Sequence, residues 1–144
     1  MKRGSKVIVL DPMSTAWQSS FITADSDLFL RTVWASRSCE VFVDEAGIAI
    51  GQYEKPMIQL ATQGRHYGHN CYFLAQRSAM INPTVRSQCR NLFAFCQSRD
   101  DGETLAHDWG YDELRELHLL RQGEYLYARR FEGIRRGNAF TEAV

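Results

Sequence analysis

Hydrophobic positions along the chain come in short, nearly continuous runs separated by longer stretches of mixed polarity. "KVIVLDP" is the first run, stopped by Asp11-Pro12. It does not alternate, which predicts a strand covered on both faces. "CEVFVDE", "NCYFLAQR" and "NLFAFCQ" repeat the pattern and predict a second, third and fourth strand. "GEYLYARRF" alternates apolar with polar positions and predicts a final, more exposed strand. The spacers read as helices. "DSDLFLRTVWASR" has Asp25 or Ser26 as a cap, and "EKPMIQLATQGRHYG" places Pro56 in a first turn and Gly64 near the end. "NPTVRSQCRNL" starts a helix with Asn82 as cap and Pro83 at the first position. "DGETLAHDWGYDELRELHLL" reads as one or two short helices broken near Gly110, with Trp109 and Leu117 packing that segment on the sheet. "EGIRRGNAFTEAV" reads as a tail, frayed or held by a partner.

Apolar runs alternating with helical spacers predict an α/β domain: a mostly parallel sheet with flanking helices. Ligands in such sheets bind beyond the carboxyl ends of the strands. Asp11, Asp44, Glu45, Gln76, Arg77 and Gln97 all fall at or just past predicted strand ends. One rim of the sheet is therefore expected to be polar and is the place to look for chemistry.

At 144 residues the chain is sized for one domain with a real core, and its eight Phe, six Tyr and three Trp argue against disorder. Net charge is zero, from 17 basic and 17 acidic residues, so no global positive field draws it onto nucleic acid. Charge is nonetheless local: "RRFEGIRR" gathers Arg129, Arg130, Arg135 and Arg136, and "MKRGSK" is basic at the other end. Either is a phosphate-binding patch, a solvated face or a partner surface. Cys39, Cys71, Cys89 and Cys96 form no CxxC pair and read as buried thiols of a reducing compartment. Without a signal-peptide pattern or a run of membrane-spanning length, the expected location is cytoplasmic, with no membrane partner.

Asp44 and Glu45 follow "VFV". Adjacent residues at a strand terminus point to different sides, so one carboxylate is suited to hold Mg²⁺ and the other to orient and deprotonate a water. The plainer account is a strand end reaching solvent. Gln76 ends "CYFLAQ", where a polar side chain one strand over reaches a γ-phosphate or an attacking water; a loop hydrogen bond is the alternative. Arg77 and Arg86 are candidate phosphate-binding or cross-subunit arginines, or else surface ion pairs. Arg90 follows Arg86 by one helical turn and is expected on the same face. His66 and His69 have HxxH spacing but no third ligand, so loop histidines near the sheet rim are the simpler reading. Asp100 and Asp101 read as a turn or helix cap, and Asp108 and Asp112 as solvated.

Taken in order, "KVIVLDP", "CEVFVDEAG", "GRHYGHNCYFLAQR", "NPTVRSQCRNLFAF" and "LRQGEYLYARR" resemble the additional-strand P-loop ATPases of the FtsK/HerA and viral DNA-packaging group, with Zot-like phage proteins nearby. The resemblance implies a RecA-like P-loop NTPase core using ATP and Mg²⁺, and homo-oligomeric rings that move DNA. It makes Asp44 the magnesium-associated aspartate of the Walker B strand, Glu45 the catalytic glutamate, Gln76 the sensor residue and Arg86 an arginine acting on transferred charge. Asp11 matches the aspartate that ends the strand after the P-loop helix. The chain departs from the group in one respect: no GxxxxGK[ST] motif occurs. Residues 1–144 then correspond to a single partial ATPase-like domain, its C-terminal portion, lacking the first strand and the loop that cradles phosphate. Gly4, Ser5 and Lys6 do not supply that loop. The expected partners are the missing P-loop segment or a homologous ATPase subunit, and DNA. The absent strand belongs between "CYFLAQ" and "NLFAFC". Two other readings stand beside this one: a non-catalytic structural or interaction protein on the same sheet, and a DNA-contacting module using the terminal arginines.

Overall fold

The computed structural model describes residues 5–13 and 15–141, and in the second helix it leaves out the side chains of residues 47–54 and 56. Gly4 with the rest of the basic stretch 1–4, and the last residues of the tail, 142–144, lie outside the described residues. The chain divides into two compact units, Met1–Gln76 with Met80–Val85, and Arg77–Ala79 with Arg86–Val144.

The first unit holds strands β1 (Val7–Leu10), β2 (Phe21–Thr23), β3 (Glu40–Val43) and β4 (Asn70–Phe73), with helices α1 (Ser26–Ala35) and α2 (Ala46–Gln63). The sheet order is β2-β1-β3-β4 and every pair is parallel. Ile8, Leu10, Val41 and Val43 pack with Phe29 and Val33 of α1 and with Met57 and Leu60 of α2. Helix α1 begins where expected, because the Asp25 carboxylate accepts from the Asp27 and Leu28 amides at 2.9 and 3.0 Å. Two expectations change. β2 was not foreseen, because three residues inside a polar stretch carry no periodic signal. Helix α2 starts directly after Glu45, so Pro56 lies inside the helix and not in its first turn.

His69 holds this unit together in a way its spacing concealed. It is 5 % exposed; its Nδ1 accepts from the Cys39 amide at 3.2 Å and its Nε2 lies 3.1 Å from the Val33 carbonyl. The ring is therefore neutral, with its proton on Nε2. It is a bracket between α1, β3 and β4, not a histidine at the sheet rim. Burial, partly opposed by the Val33 carbonyl, lowers its pKa below the ordinary 6.5. Below pH 6.5 the unfolded chain takes up a proton that the folded chain refuses. Stability from this site is thus complete above pH 6.5 and declines as pH falls toward the depressed folded value. Urea midpoints should drop between about pH 7.5 and about pH 5.5, and His69→Gln should flatten that slope.

The second unit is built differently. β5 (Asn91–Ala94), β6 (Glu124–Arg129) and β7 (Gly133–Asn138) form an antiparallel sheet in that order. Ala94, Leu126 and Ala128 pack with Leu105, Ala106 and Trp109 of α4 (Arg99–Trp109) and with Leu114 and Leu117 of the 3-10 segment Asp112–Leu119. The break between the two helical pieces falls at Gly110, whose φ of 74° closes α4 in the left-handed region. Among the described strands, "NLFAFCQ" therefore pairs antiparallel with "GEYLYARRF" and does not extend the parallel sheet. "EGIRRGN" is no frayed tail: it returns as β7 through a turn with Phe131 at φ 67° and pairs along the whole of β6. Short helix α3 (Pro83–Gln88) carries the chain from one unit to the other. Its start is as read, with Asn82 Oδ1 accepting from the Thr84 amide at 2.8 Å.

Candidate functional site

Parallel pairing of β1, β3 and β4 sends their carboxyl ends to one rim. The residues that follow are Asp11, Asp44 with Glu45, and the segment leading to Gln76. Backbone bonds continue past the strands. The Asp44 amide donates to the Leu10 carbonyl at 2.9 Å, the Leu74 amide to the Val43 carbonyl at 2.9 Å, and the buried Ala46 amide to the Leu74 carbonyl at 2.8 Å. Leu74 is thus gripped on both sides of the Asp44-Glu45 turn, which fixes where Gln76 begins. Glu45 sits in the left-handed region, φ 49° and ψ 44°, and its side chain caps nothing in α2. A β-carbon there costs about 1 kcal/mol or more. Its Oε1 accepts from Gln76 Nε2 at 3.0 Å. Asp44 Oδ1 accepts from the Glu45 amide at 3.0 Å, and among the described residues no protein group engages its second oxygen. The structure therefore brings Asp44, Glu45 and Gln76 together on one rim.

Those residues fit part of a Mg²⁺-nucleotide site. Asp44 offers a carboxylate oxygen to a hard cation, Glu45 offers a base, and Gln76 holds that base by an amide that also reads oxygen atoms. The amide nest and ammonium that neutralise phosphates have no counterpart in this set. Among the described residues no three His, Cys, Asp or Glu side chains gather as metal ligands, so a cation at Asp44 needs water and phosphate oxygens to complete its shell.

Asp11 is fully buried and turned to its own loop. Oδ1 accepts from the Met13 amide at 2.8 Å, and Oδ2 from the Thr15 amide and hydroxyl, both at 2.6 Å. The Thr15 hydroxyl, ahead of the two amides and against the opposing effect of burial, holds the Asp11 carboxyl below its ordinary range. In this structure its work is to close the turn after β1.

The arginines separate. Arg86 is only 11 % exposed at its side chain; its Nε donates to Asp108 at 2.7 Å and an Nη to the Ser78 carbonyl at 3.1 Å. This is a built-in ion pair, not a surface one, and it also removes Asp108 from the solvated residues. Arg90 lies beyond α3 and pairs with Glu132 at 2.9 Å, so it does not share Arg86's surroundings. Arg77 donates to Asp101 at 3.0 Å. The "RRFEGIRR" cluster has no common face: Arg130 reaches the carbonyls of Cys89 and Asp108 and lies over the Trp109 ring, Arg129 pairs with Glu132, and Arg136 pairs with Glu124. Of the four cysteines, Cys39 is buried, Cys71 and Cys89 are half-buried, and Cys96 is exposed.

Asp101 is the charged residue whose weight the sequence did not disclose. It is 1 % exposed and accepts from Ser98 Oγ at 2.7 Å, Ser78 Oγ at 2.9 Å, Arg77 Nε at 3.0 Å and the Ala79 amide at 3.1 Å. Burial raises its pKa, yet these donors outweigh burial and hold the carboxyl down at about 2. A position at the start of a helix was expected for it, but the cap of α4 is Ser98 and Asp101 falls in the first turn; the grip on residues 77–79 was not legible.

No family model matches the chain, and no curated protein matches it. Solved structures do. The genome packaging NTPase B204 of Sulfolobus turreted icosahedral virus 2, in complex with sulfate, superposes with a TM-score of 0.76 at 14% identity, over 93% of this chain and 80% of that one. The same protein with AMPPCP gives 0.75 at 15% identity, over 93% and 82%. The DNA-packaging ATPase B204 of Sulfolobus turreted icosahedral virus gives 0.67 at 14% identity, over 82% and 65%. Likeness at this identity is one of fold: a parallel-stranded α/β sheet with flanking helices, as in RecA-like P-loop NTPases. Among the described residues no helix is long and apolar enough to cross a membrane.

Proposed function

We propose that this chain carries the water-activating half of a genome-packaging type ATPase of the FtsK/HerA and Zot-like group, in which ATP hydrolysis drives DNA movement. Asp44 associates with Mg²⁺, Glu45 orients and deprotonates the attacking water, and Gln76 holds Glu45 in register and reads the γ-phosphate. The observation that carries this reading is the 3.0 Å bond between Gln76 and Glu45 across the ends of two parallel strands, with Asp44 beside them. The solved packaging NTPases, with AMPPCP among their ligands, supply the precedent of fold.

Because the sequence has no GxxxxGK[ST], the phosphate cradle comes from a P-loop segment or a homologous subunit. β4 and β5 are each the end strand of their sheet, and neither "NCYF" nor "NLFA" carries the Lys or Pro that usually blunts an edge. Such edges suit an added strand. Arg86 serves here as a positioning residue, since its guanidinium is committed to Asp108 and Ser78.

The chain alone should release phosphate from Mg-ATP slowly or not at all. Mg-ATP should still raise its melting temperature slightly, and Asp44→Ala or EDTA should remove the increase. Robust turnover by the isolated chain, abolished in Glu45→Gln, would contradict the need for an outside cradle. No nucleotide-dependent shift in the wild type, with or without a P-loop partner, would favour a non-catalytic protein on the same sheet.

A further inference from the structure

The antiparallel sheet of the second unit has one packed face and one open face. Leu92, Ala94, Leu126 and Ala128 belong to the packed one. Strand alternation and register put Phe93, Tyr125, Tyr127 and Arg135 on the other, and Phe95, just past β5, joins them through its contact with Tyr125. Phe93 is 60% exposed and Phe95 47%. Their rings form one cluster: Phe93 lies 4.7 Å from Tyr127 and 5.5 Å from Tyr125, and Phe95 lies 5.7 Å from Tyr125. A cluster of this size is uncommon on open surface and marks a contact site.

Tyr125 has a seat made for it. A β-carbon at Gly137, its cross-strand neighbour, would stand 2.4 Å from the Tyr125 ring. The ring therefore lies against bare backbone. Charge on this side is also particular. Arg135 and Arg136 are adjacent but face opposite ways; Arg136 pairs with Glu124, whereas Arg135 lies over the Tyr127 ring at 4.8 Å and has no carboxylate partner among the described residues. By register, no Asp or Glu of β5, β6 or β7 falls on this face.

We propose that the Phe93–Tyr125–Tyr127 face binds single-stranded nucleic acid, with bases stacked on the rings and Arg135 on a phosphate. Flat rings on a sheet with small residues between them accept the face of any base, and a guanidinium with no carboxylate partner among the described residues supplies the backbone contact. A packed helix calls for a groove lined by aliphatic side chains, whereas this floor is aromatic and cationic. Binding here needs no nucleotide, so it stands or falls apart from the ATPase reading.

The test is fluorescence anisotropy of a labelled oligothymidylate of about 12 nucleotides, in single- and double-stranded form, at two salt concentrations. The single strand should bind more tightly than the duplex. Phe93→Leu, which keeps apolar bulk but loses the ring, should weaken binding about tenfold. Arg135→Gln should reduce the salt slope by about one. Circular dichroism of both variants should match the wild type, since both side chains are exposed. No binding at low salt, equal affinity for duplex, or an affinity unmoved by Phe93→Leu each overturns the proposal. A self-association lost in Phe93→Leu, without oligonucleotide binding, likewise overturns it and makes the face an interface between copies.

Discussion

Asp101→Ala should cost about 3 to 5 kcal/mol of unfolding free energy, read from urea denaturation followed by tryptophan fluorescence. The size follows from what stays behind. Four donors, from Ser98, Ser78, Arg77 and the Ala79 amide, converge on a carboxylate that is 1 % exposed. Deleting it leaves the buried Ser78 hydroxyl with only the longer bond, 3.4 Å, to the residue 101 carbonyl, and releases residues 77–79, the segment that follows Gln76. Asp101→Asn should cost less, because the amide oxygen still accepts while the pairing with Arg77 weakens. The same carboxyl gives a signature in acid. Its folded pKa of about 2 lies below the ordinary 3.8, so its contribution is complete above pH 3.8 and is lost as pH falls through about 2. That contribution is about 2 kcal/mol, and in the Asp101→Asn variant the acid limb between those values should be correspondingly shallower.

Arg86→Ala should cost about 2 to 4 kcal/mol, and Asp108→Ala nearly as much. Both groups are largely shielded, with side-chain exposures of 11% and 25%, and the bond between them is 2.7 Å. Removing Arg86 leaves the Asp108 carboxylate with only the exposed His107 ring 3.6 Å away, and takes from the Ser78 carbonyl its Arg86 donor. A double-mutant cycle should return a coupling of more than about 1 kcal/mol. Arg86 and Asp101 also meet at Ser78, one through its carbonyl and the other through its hydroxyl, so their losses should not add. The outcome separates two roles for Arg86. An arginine kept for transferred charge would leave stability unchanged when removed; a positioning arginine lowers the melting temperature before any nucleotide is added.

How far the residues announced this arrangement depends on the range of the interaction. Parallel strands put their carboxyl ends on one side, so reading "VIVL", "EVFV" and "NCYF" as buried strands was enough to bring Asp44, Glu45 and Gln76 to a common rim. Local capping at Asp25 and Asn82 was visible for the same reason: donor and acceptor lie within a few residues. Strand direction was not visible. "NLFA" is as apolar as "EVFV", but only its pairing partner makes it antiparallel. β7 was hidden by its composition, since "GIRRGN" has no strand-like alternation of polarity and takes its order from β6. His69, Arg86 and Asp101 were misjudged because their partners are distant in sequence: Val33 and Cys39, Asp108, and Ser78 with Arg77.

The left-handed bend at Glu45 sets folding and chemistry at odds. Glycine at that position would relax the backbone and steady the chain, while taking away the carboxylate that Gln76 holds. Drift toward thermal robustness alone would therefore erase residue 45 early, and a laboratory selection that rewarded only solubility should enrich that replacement. On the proposed reading, a screen that also demanded phosphate release from the assembled ATPase would reject it.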